Sequence, residues 1–197
     1  MDILYFLVQQ TMFFFIPLLI VALGGMFSER SGVINIALEG IMIIGAFSGL
    51  LFVSMYQDRM SGQSLLIIGM LIAMAAGIIF SLFHAFASIH LKADQTISST
   101  ALNMFAPAFC IFLAREVQNV QQISFRNTFR IEKVKGLGDI PVLGQLFFQN
   151  TYITTYIGLA ILIISSIILY RTKFGLRLRS CGEHPQAAES VGISVYR

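Results

Sequence analysis

Thr151-Tyr-Ile-Thr-Thr-Tyr-Ile-Gly-Leu-Ala-Ile-Leu-Ile-Ile-Ser-Ser-Ile-Ile-Leu-Tyr170 runs for twenty residues without a charged side chain. A helix of about 20 apolar residues is what the hydrocarbon core of a bilayer requires. The run does not alternate apolar and polar residues, as a strand of a membrane barrel must. Backbone polar groups cannot stay unpaired in lipid, so the stretch reads as a membrane-spanning helix.

The rest of the chain repeats this pattern. Comparable apolar stretches occupy residues 3–26, 33–56, 65–89 and 97–114, and the single charged residue in any of the five is Glu39. The 23 charged residues, 13 basic and 10 acidic, otherwise cluster between the stretches. Hydrophobic residues make up 56% of the 197, and charged ones only 12%, about half the share of an ordinary soluble domain. This composition excludes a disordered chain and leaves too little polar surface to cover a soluble core. The fold class expected is all-α, a polytopic transmembrane bundle of about five spans forming part of one membrane domain. Asp2 stands where a signal peptide would carry basic residues, so the first stretch reads as a retained span.

Basic residues flanking spans stay in the cytoplasm. Arg171, Lys173, Arg177 and Arg179 follow the fifth stretch, so residues 171–197 are expected inside and the N-terminus outside. Arg30 and Lys92 then also fall inside, and Arg59 outside. Residues 115–150 form the external loop under this topology, although they carry five basic residues. Within that loop, residues 136–144 (Gly-Leu-Gly-Asp-Ile-Pro-Val-Leu-Gly) read as turns.

Small residues recur at helical spacing. Gly45 and Gly49 form a Gly-x-x-x-Gly pair, and Gly69, Ala73 and Gly77 form a second stripe, as close-packed membrane helices use. Helix packing accounts for both without a ligand. Polar residues inside spans point either to neighbouring helices or to a water-filled path. Asn35 and Glu39, one helical turn apart, and Ser99 with Asn103 are the candidates for lining such a path. The plainer alternative is that Glu39 ties helices together or pairs with Arg30. A charge deep in a span costs about 2.5–3.5 kcal/mol on insertion scales, so Glu39 needs such a reason.

Other chemistries find little support. His84 and His90 lie six residues apart on different helical faces, with no cysteine near, so no metal site is expected. Cys110 lies in a span and Cys181 in the polar tail, so a disulfide between them is not expected. No phosphate-cradling Gly-x-x-x-x-Gly-Lys-Ser/Thr loop occurs, and no nucleophile–base pair stands out. The chain is therefore not expected to be an enzyme or to hold a cofactor. Its basic residues form no aromatic-interleaved stripe, so nucleic acid is not an expected partner.

Two passages carry a resemblance. The first is Phe27-Ser-Glu-Arg-Ser-Gly-Val-Ile-Asn-Ile-Ala-Leu-Glu-Gly40, and the second runs from Tyr170 through Gly175-Leu-Arg-Leu-Arg179 to Ile193. Together they resemble permease subunits of bacterial ABC importers in the branched-chain amino acid, simple sugar and nucleoside branch. Residues 138–144 also fit the nucleoside-type group. The resemblance covers nearly the whole chain in order. It implies a multi-pass subunit of the bacterial plasma membrane, surrounded by membrane lipid, which conducts a small-molecule substrate such as a nucleoside or simple sugar. It also implies partners: cytoplasmic ATPase subunits, a second permease chain that is identical or related, and an external lipoprotein solute-binding protein. Family permeases continue with further spans, so these residues are expected to form part of a larger bundle, and alone neither to transport nor to be stable.

In such permeases a short coupling helix docks on the ATPase. Its pattern, Glu-Ala-Ala, three residues, then Gly, appears as Gln186-Ala187-Ala188 and Gly192, with Gln186 where glutamate is usual, and Gly182, Glu183 and Pro185 complete the segment expected to couple to the ATPase. The residues alone allow the same helix: Pro185 suits a first helical position and Gly192 a terminator. An ordinary surface helix remains the alternative. An ion-coupled transporter built on a broken helix near residues 28–40, or a scaffold without transport, are the rival functions.

Overall fold

The computed structural model of the protein describes residues 2–120, 122–126, 129–133 and 149–195. Residues 136–144, read above as turns, lie outside the described residues. Among the described residues, five helices are long and apolar enough to cross a membrane. They are α1 (Asp2–Arg30), α2 (Leu38–Tyr56), α3 (Gln63–Ala85), α4 (Gln95–Gln118) and α5 (Ile153–Arg171). A π-helical turn, Phe86–His90, extends α3. Two short helices follow α5: α6 (Lys173–Glu183) and α7 (Pro185–Ser190). The strands β1 (Ile131–Lys133) and β2 (Gln149–Thr151) pair antiparallel, Ile131 with Thr151 and Lys133 with Gln149. Apart from this short ribbon, the described residues form helices and irregular connections, the build of a helical membrane protein. Phe14, Leu71, Phe83, Met104 and Ile163 are among many large apolar side chains left exposed, as a lipid-facing surface requires.

The chain divides into two compact units. The first comprises Met1–Phe27 and Phe129–Leu178. In it α1 meets α5 where buried Ile16 faces Gly158. A Cβ on Gly158 would lie 2.6 Å from Cγ2 of Ile16, so the glycine makes room for the isoleucine. Phe13 packs on Tyr152 with ring centroids 5.4 Å apart, and Arg130 donates from Nε to the Tyr152 hydroxyl at 3.2 Å. Thr172 turns the chain sharply from α5 into α6. Its hydroxyl donates back to the Ile168 carbonyl and accepts from the Gly175 amide at 3.2 Å, capping the new helix. Gly175 is buried at that corner, where a Cβ would run into the carbonyls of Ile168 and Leu169. The basic residues after α5 thus sit on a helix rather than on an extended tail.

The second unit comprises Ser28–Thr128 and Arg179–Arg197. Its core is Ile44, Phe80, Ala106 and Cys110, flanked by Ile41, Ile43, Phe47, Ala76 and Leu102. The small-residue stripes lie where α2 meets α3. A Cβ on Gly45 would stand 3.1 Å from the Ala73 carbonyl oxygen, and one on Gly49 2.9 Å from that of Gly69. Gly77 is looser, its Cβ position 3.6 Å from Cγ2 of Ile41. Gly40 brings α2 against α4, where a Cβ would be 3.0 Å from the Leu102 carbonyl oxygen. Asp94 starts α4 by accepting from the amides of Thr96 and Ile97, both at 2.9 Å.

The second apolar stretch departs from its expected form. The helix begins at Leu38, and residues 33–37 are not helical. Asn35 and Glu39 therefore do not share a helical face. The physical reason lies in the backbone groups of this segment, whose partners are side chains of α3 and α4 rather than a helical ladder.

Candidate functional site

α1 ends at a glycine. Gly32 adopts φ +87°, its amide donates to the Glu29 carbonyl at 3.0 Å, and Val33 donates to the Ser28 carbonyl at 3.2 Å. This crossed pair is the Schellman closure, which needs a left-handed residue. Ser28 adds a strut by donating from its hydroxyl to the Val33 carbonyl at 2.8 Å.

Residues 33–37 then run unsupported by any helical ladder, so their backbone donors and acceptors need partners from elsewhere in the protein. The Ile34 amide donates to Oε1 of Gln95 at 2.8 Å. The Ile34 carbonyl lies 3.2 Å from Nε2 of His84. The Ile36 amide donates to the Ser99 hydroxyl at 3.2 Å, and the Ile36 carbonyl accepts from Nδ2 of Asn103 at 2.8 Å. The other end of the Asn103 amide accepts from Gly40 at 2.8 Å, bridging the last free residues to the first turn of α2. Asn35 closes a local turn by accepting from the Ala37 amide at 3.0 Å. Each side chain supplies what the backbone lacks, and Asn103 satisfies a donor and an acceptor at once.

His84 is 2% exposed and its ring is held on both sides. A carbonyl can only accept, so the bond to Ile34 puts the hydrogen on Nε2. In the neutral ring Nδ1 then accepts from the Ser98 hydroxyl, 3.2 Å away. Sequence reasoning weighs His84 only as a metal ligand and passes over Gln95. No local pattern marks either, because their partner is the backbone of a segment some fifty to sixty residues earlier.

Ser99 is fully buried and Asn103 half-buried, and the polar atoms of both are engaged with the 36–40 backbone. Glu39 differs. It is exposed in the first turn of α2, where the positive end of the helix dipole favours a carboxylate, and it has no partner among the described residues. Arg30 is exposed too, and no ion pair joins the two.

At the same end of this unit stand α7 and the last turn of α6. His184 donates to the Ser180 carbonyl at 3.1 Å, and Ala188 to the His184 carbonyl at 3.0 Å, so the two helices are linked across their junction. Pro185 opens α7. Gly192, φ +82°, closes it with the same crossed bonds seen at Gly32: Gly192 to Glu189 and Ile193 to Ala188, both 3.0 Å. Ala188 is turned inward at 3% exposure, while Glu183, Pro185, Gln186, Ala187 and Glu189 are exposed. Ala187 thus faces outward and Ala188 inward. Gly182 lies against the turn that ends α1: a Cβ there would run into the Arg30 carbonyl and stand 3.0 Å from the Gly32 amide nitrogen.

The Ile34 end of α2 carries Arg30, Lys92 and α7, and the far end carries Arg59, Arg115 and Arg126, whose amide donates to Gln57 at 3.0 Å.

Several known proteins are similar along almost all of the chain. The guanosine ABC transporter permease protein NupQ of Bacillus subtilis is 47% identical over 197 residues, which is 100% of this chain and 61% of NupQ. The nucleoside ABC transporter permease protein NupC of Lactococcus lactis is 39% identical over 193 residues, 98% of this chain and 61% of NupC. The putative glucose ABC transporter permease protein TsgC13 of Haloferax volcanii is 30% identical over 185 residues, 91% of this chain and 52% of that protein. The chain thus spans between half and two thirds of the length of these curated relatives. No solved structure matches it. Residues 7–197 match the family described as branched-chain amino acid transport system / permease component, and the chain belongs to that family.

Proposed function

We propose that the chain belongs to the solute-conducting subunit of an ATP-driven importer in the plasma membrane, with nucleosides as substrate. The observation that carries this is the 47% identity, over all 197 residues, to a protein named as a guanosine permease. ATP hydrolysis is assigned to separate cytoplasmic subunits that dock on Glu183 at the end of α6 and on the exposed side of α7, at Pro185, Gln186 and Ala187. A second permease chain, identical or related, completes the path, and an external lipoprotein delivers the solute. Access alternates as the partners shift the balance between outward and inward forms.

On the path, Glu39 is the polar group available to a solute or its water. Asn35, Ser99 and Asn103 hold the backbone that presents it. The Gly45, Gly49, Gly69, Ala73 and Gly77 stripes serve helix packing.

The test uses the full-length permease gene in its host. Its deletion is expected to abolish ATP-dependent uptake of labelled guanosine and leave glucose uptake intact. Loss of glucose uptake alone would move the substrate to the sugars. Uptake that persists after ATP depletion and collapses with an ion gradient would favour the ion-coupled reading. Unchanged uptake of every solute would leave only a scaffold.

A further inference from the structure

α7 and the path residues belong to distant parts of the sequence, yet one backbone contact joins them. Gly182, in the last turn of α6, meets Gly32, and a Cβ on Gly32 would lie 3.2 Å from the Gly182 Cα. From the other side, a Cβ on Gly182 would run into the Arg30 carbonyl. Two glycine backbones therefore touch with no side chain between them, so the contact has little slack.

What lies on each side of this contact is stiff. Toward α7, the junction is carried by the Ser180–His184 and His184–Ala188 bonds. Toward α2, Gly32 is fixed by its closure bonds and Val33 by the Ser28 strut. Beyond Val33 the character changes. Residues 34–37 are held by single side-chain bonds from His84, Gln95, Ser99 and Asn103. Such bonds can be remade at a shifted position, whereas a helical ladder moves as one piece. A push on Gly182 thus reaches an adjustable segment that ends two residues before Glu39.

We propose that Gly182 is a positioning residue for transport. Through Gly32 it passes displacement of α7 to the 33–37 segment and so sets where the start of α2 and Glu39 stand. This rests on the assignment of α7 to ATPase docking. It removes Gly182 itself from the docking face and makes it the fulcrum behind that face.

The experiment uses the complete transporter, full-length permease with its ATPase and binding protein, in proteoliposomes with labelled guanosine. ATPase co-purification, ATP hydrolysis and guanosine moved per ATP are read separately. Gly182→Ala is expected to keep the ATPase bound and hydrolysing while guanosine per ATP falls about tenfold or more, within the usual range of coupling between sites. Ser28→Ala, which removes only the strut, is expected to lower the ratio about twofold, as substitutions along a coupling route do. Gly24→Ala, where a Cβ meets nothing within 4 Å, is the control and should leave the ratio unchanged. A wild-type ratio in Gly182→Ala overturns the proposal. Should that variant fail to reach the membrane, Ser28→Ala and His84→Gln decide: a lowered ratio in either supports it, and wild-type ratios in both overturn it. Failure of the docking assignment has its own signature, Ala187→Arg leaving ATPase co-purification intact, and this inference then falls with it.

Discussion

α1 with α5 and α2 with α3 are both pairs of apolar helices, yet they meet in different ways. In the first pair a glycine faces a side chain, Gly158 against Ile16. In the second, the tightest approaches of Gly45 and Gly49 are to backbone, the carbonyls of Ala73 and Gly69, while Gly69 and Gly77 meet the side chains of Val53 and Ile41. A side chain can change rotamer or be shortened. A carbonyl within a helix cannot withdraw without moving the helix. Lipid is as apolar as the side chains, so close packing rather than hydrophobic burial distinguishes a good interface from a poor one. The second pair should therefore be the less forgiving.

Substitution in the full-length permease, followed by unfolding in mixed micelles, puts this contrast at risk. Gly49→Val should have the largest effect, about 3 kcal/mol or more, because overpacking here must push the α2 and α3 backbones apart. A loss below that of Gly158→Ala would reverse the contrast. Asn103→Ala comes next, at about 2 kcal/mol, since it strands the Gly40 amide and the Ile36 carbonyl together. A change within error would mean that water or another group replaces both bonds. Gly158→Ala should cost about 1 kcal/mol, and in an Ile16→Ala background the same change should cost almost nothing, a coupling that a double-mutant cycle measures. Equal costs in both backgrounds would show that the isoleucine is not the obstacle. Gly24→Ala should be the mildest, neutral or stabilising by about 0.5 kcal/mol, because alanine favours the helix and nothing crowds that site.

The spans were legible because length without charge has one meaning in this composition, and α5 differs from its expected range by only a residue or two. Small-residue spacing likewise pointed at the face by which α2 meets α3. The break at residues 33–37 was anticipated only within the rival reading of a broken helix near residues 28–40, while hydropathy itself ran straight through it. Val33, Ile34 and Ile36 are as apolar as any spanning residue, and hydropathy reports solubility in lipid rather than helicity. Three weak local signs were present: Gly32 after a charged helix end, Asn35 two residues before Ala37, and an acid at Glu39 suited to a first turn. What holds the segment was not legible at all. Gln95, Ser99 and Asn103 start a different helix, and only the folded chain brings them to backbone groups sixty residues away. Ser99 and Asn103 attract notice as polar residues in a span. Their role as stand-ins for a missing helical ladder required the geometry. Ala188 shows a similar limit, since a six-residue helix has no periodicity long enough to reveal which alanine turns inward.

The two left-handed glycines that finish α1 and α7 face different evolutionary fates. At Gly192 only the torsion restricts the choice, as no atom crowds a Cβ there. Asparagine tolerates that torsion, so the position can drift through a pair of nucleotide changes at small cost. At Gly32 the torsion and the opposing Gly182 Cα act together, so a residue that tolerates the torsion must still displace the backbone it meets. Every other amino acid within one base change of glycine carries a Cβ, so mutation offers this position no neutral replacement, and Gly32 is tied to the companion it touches.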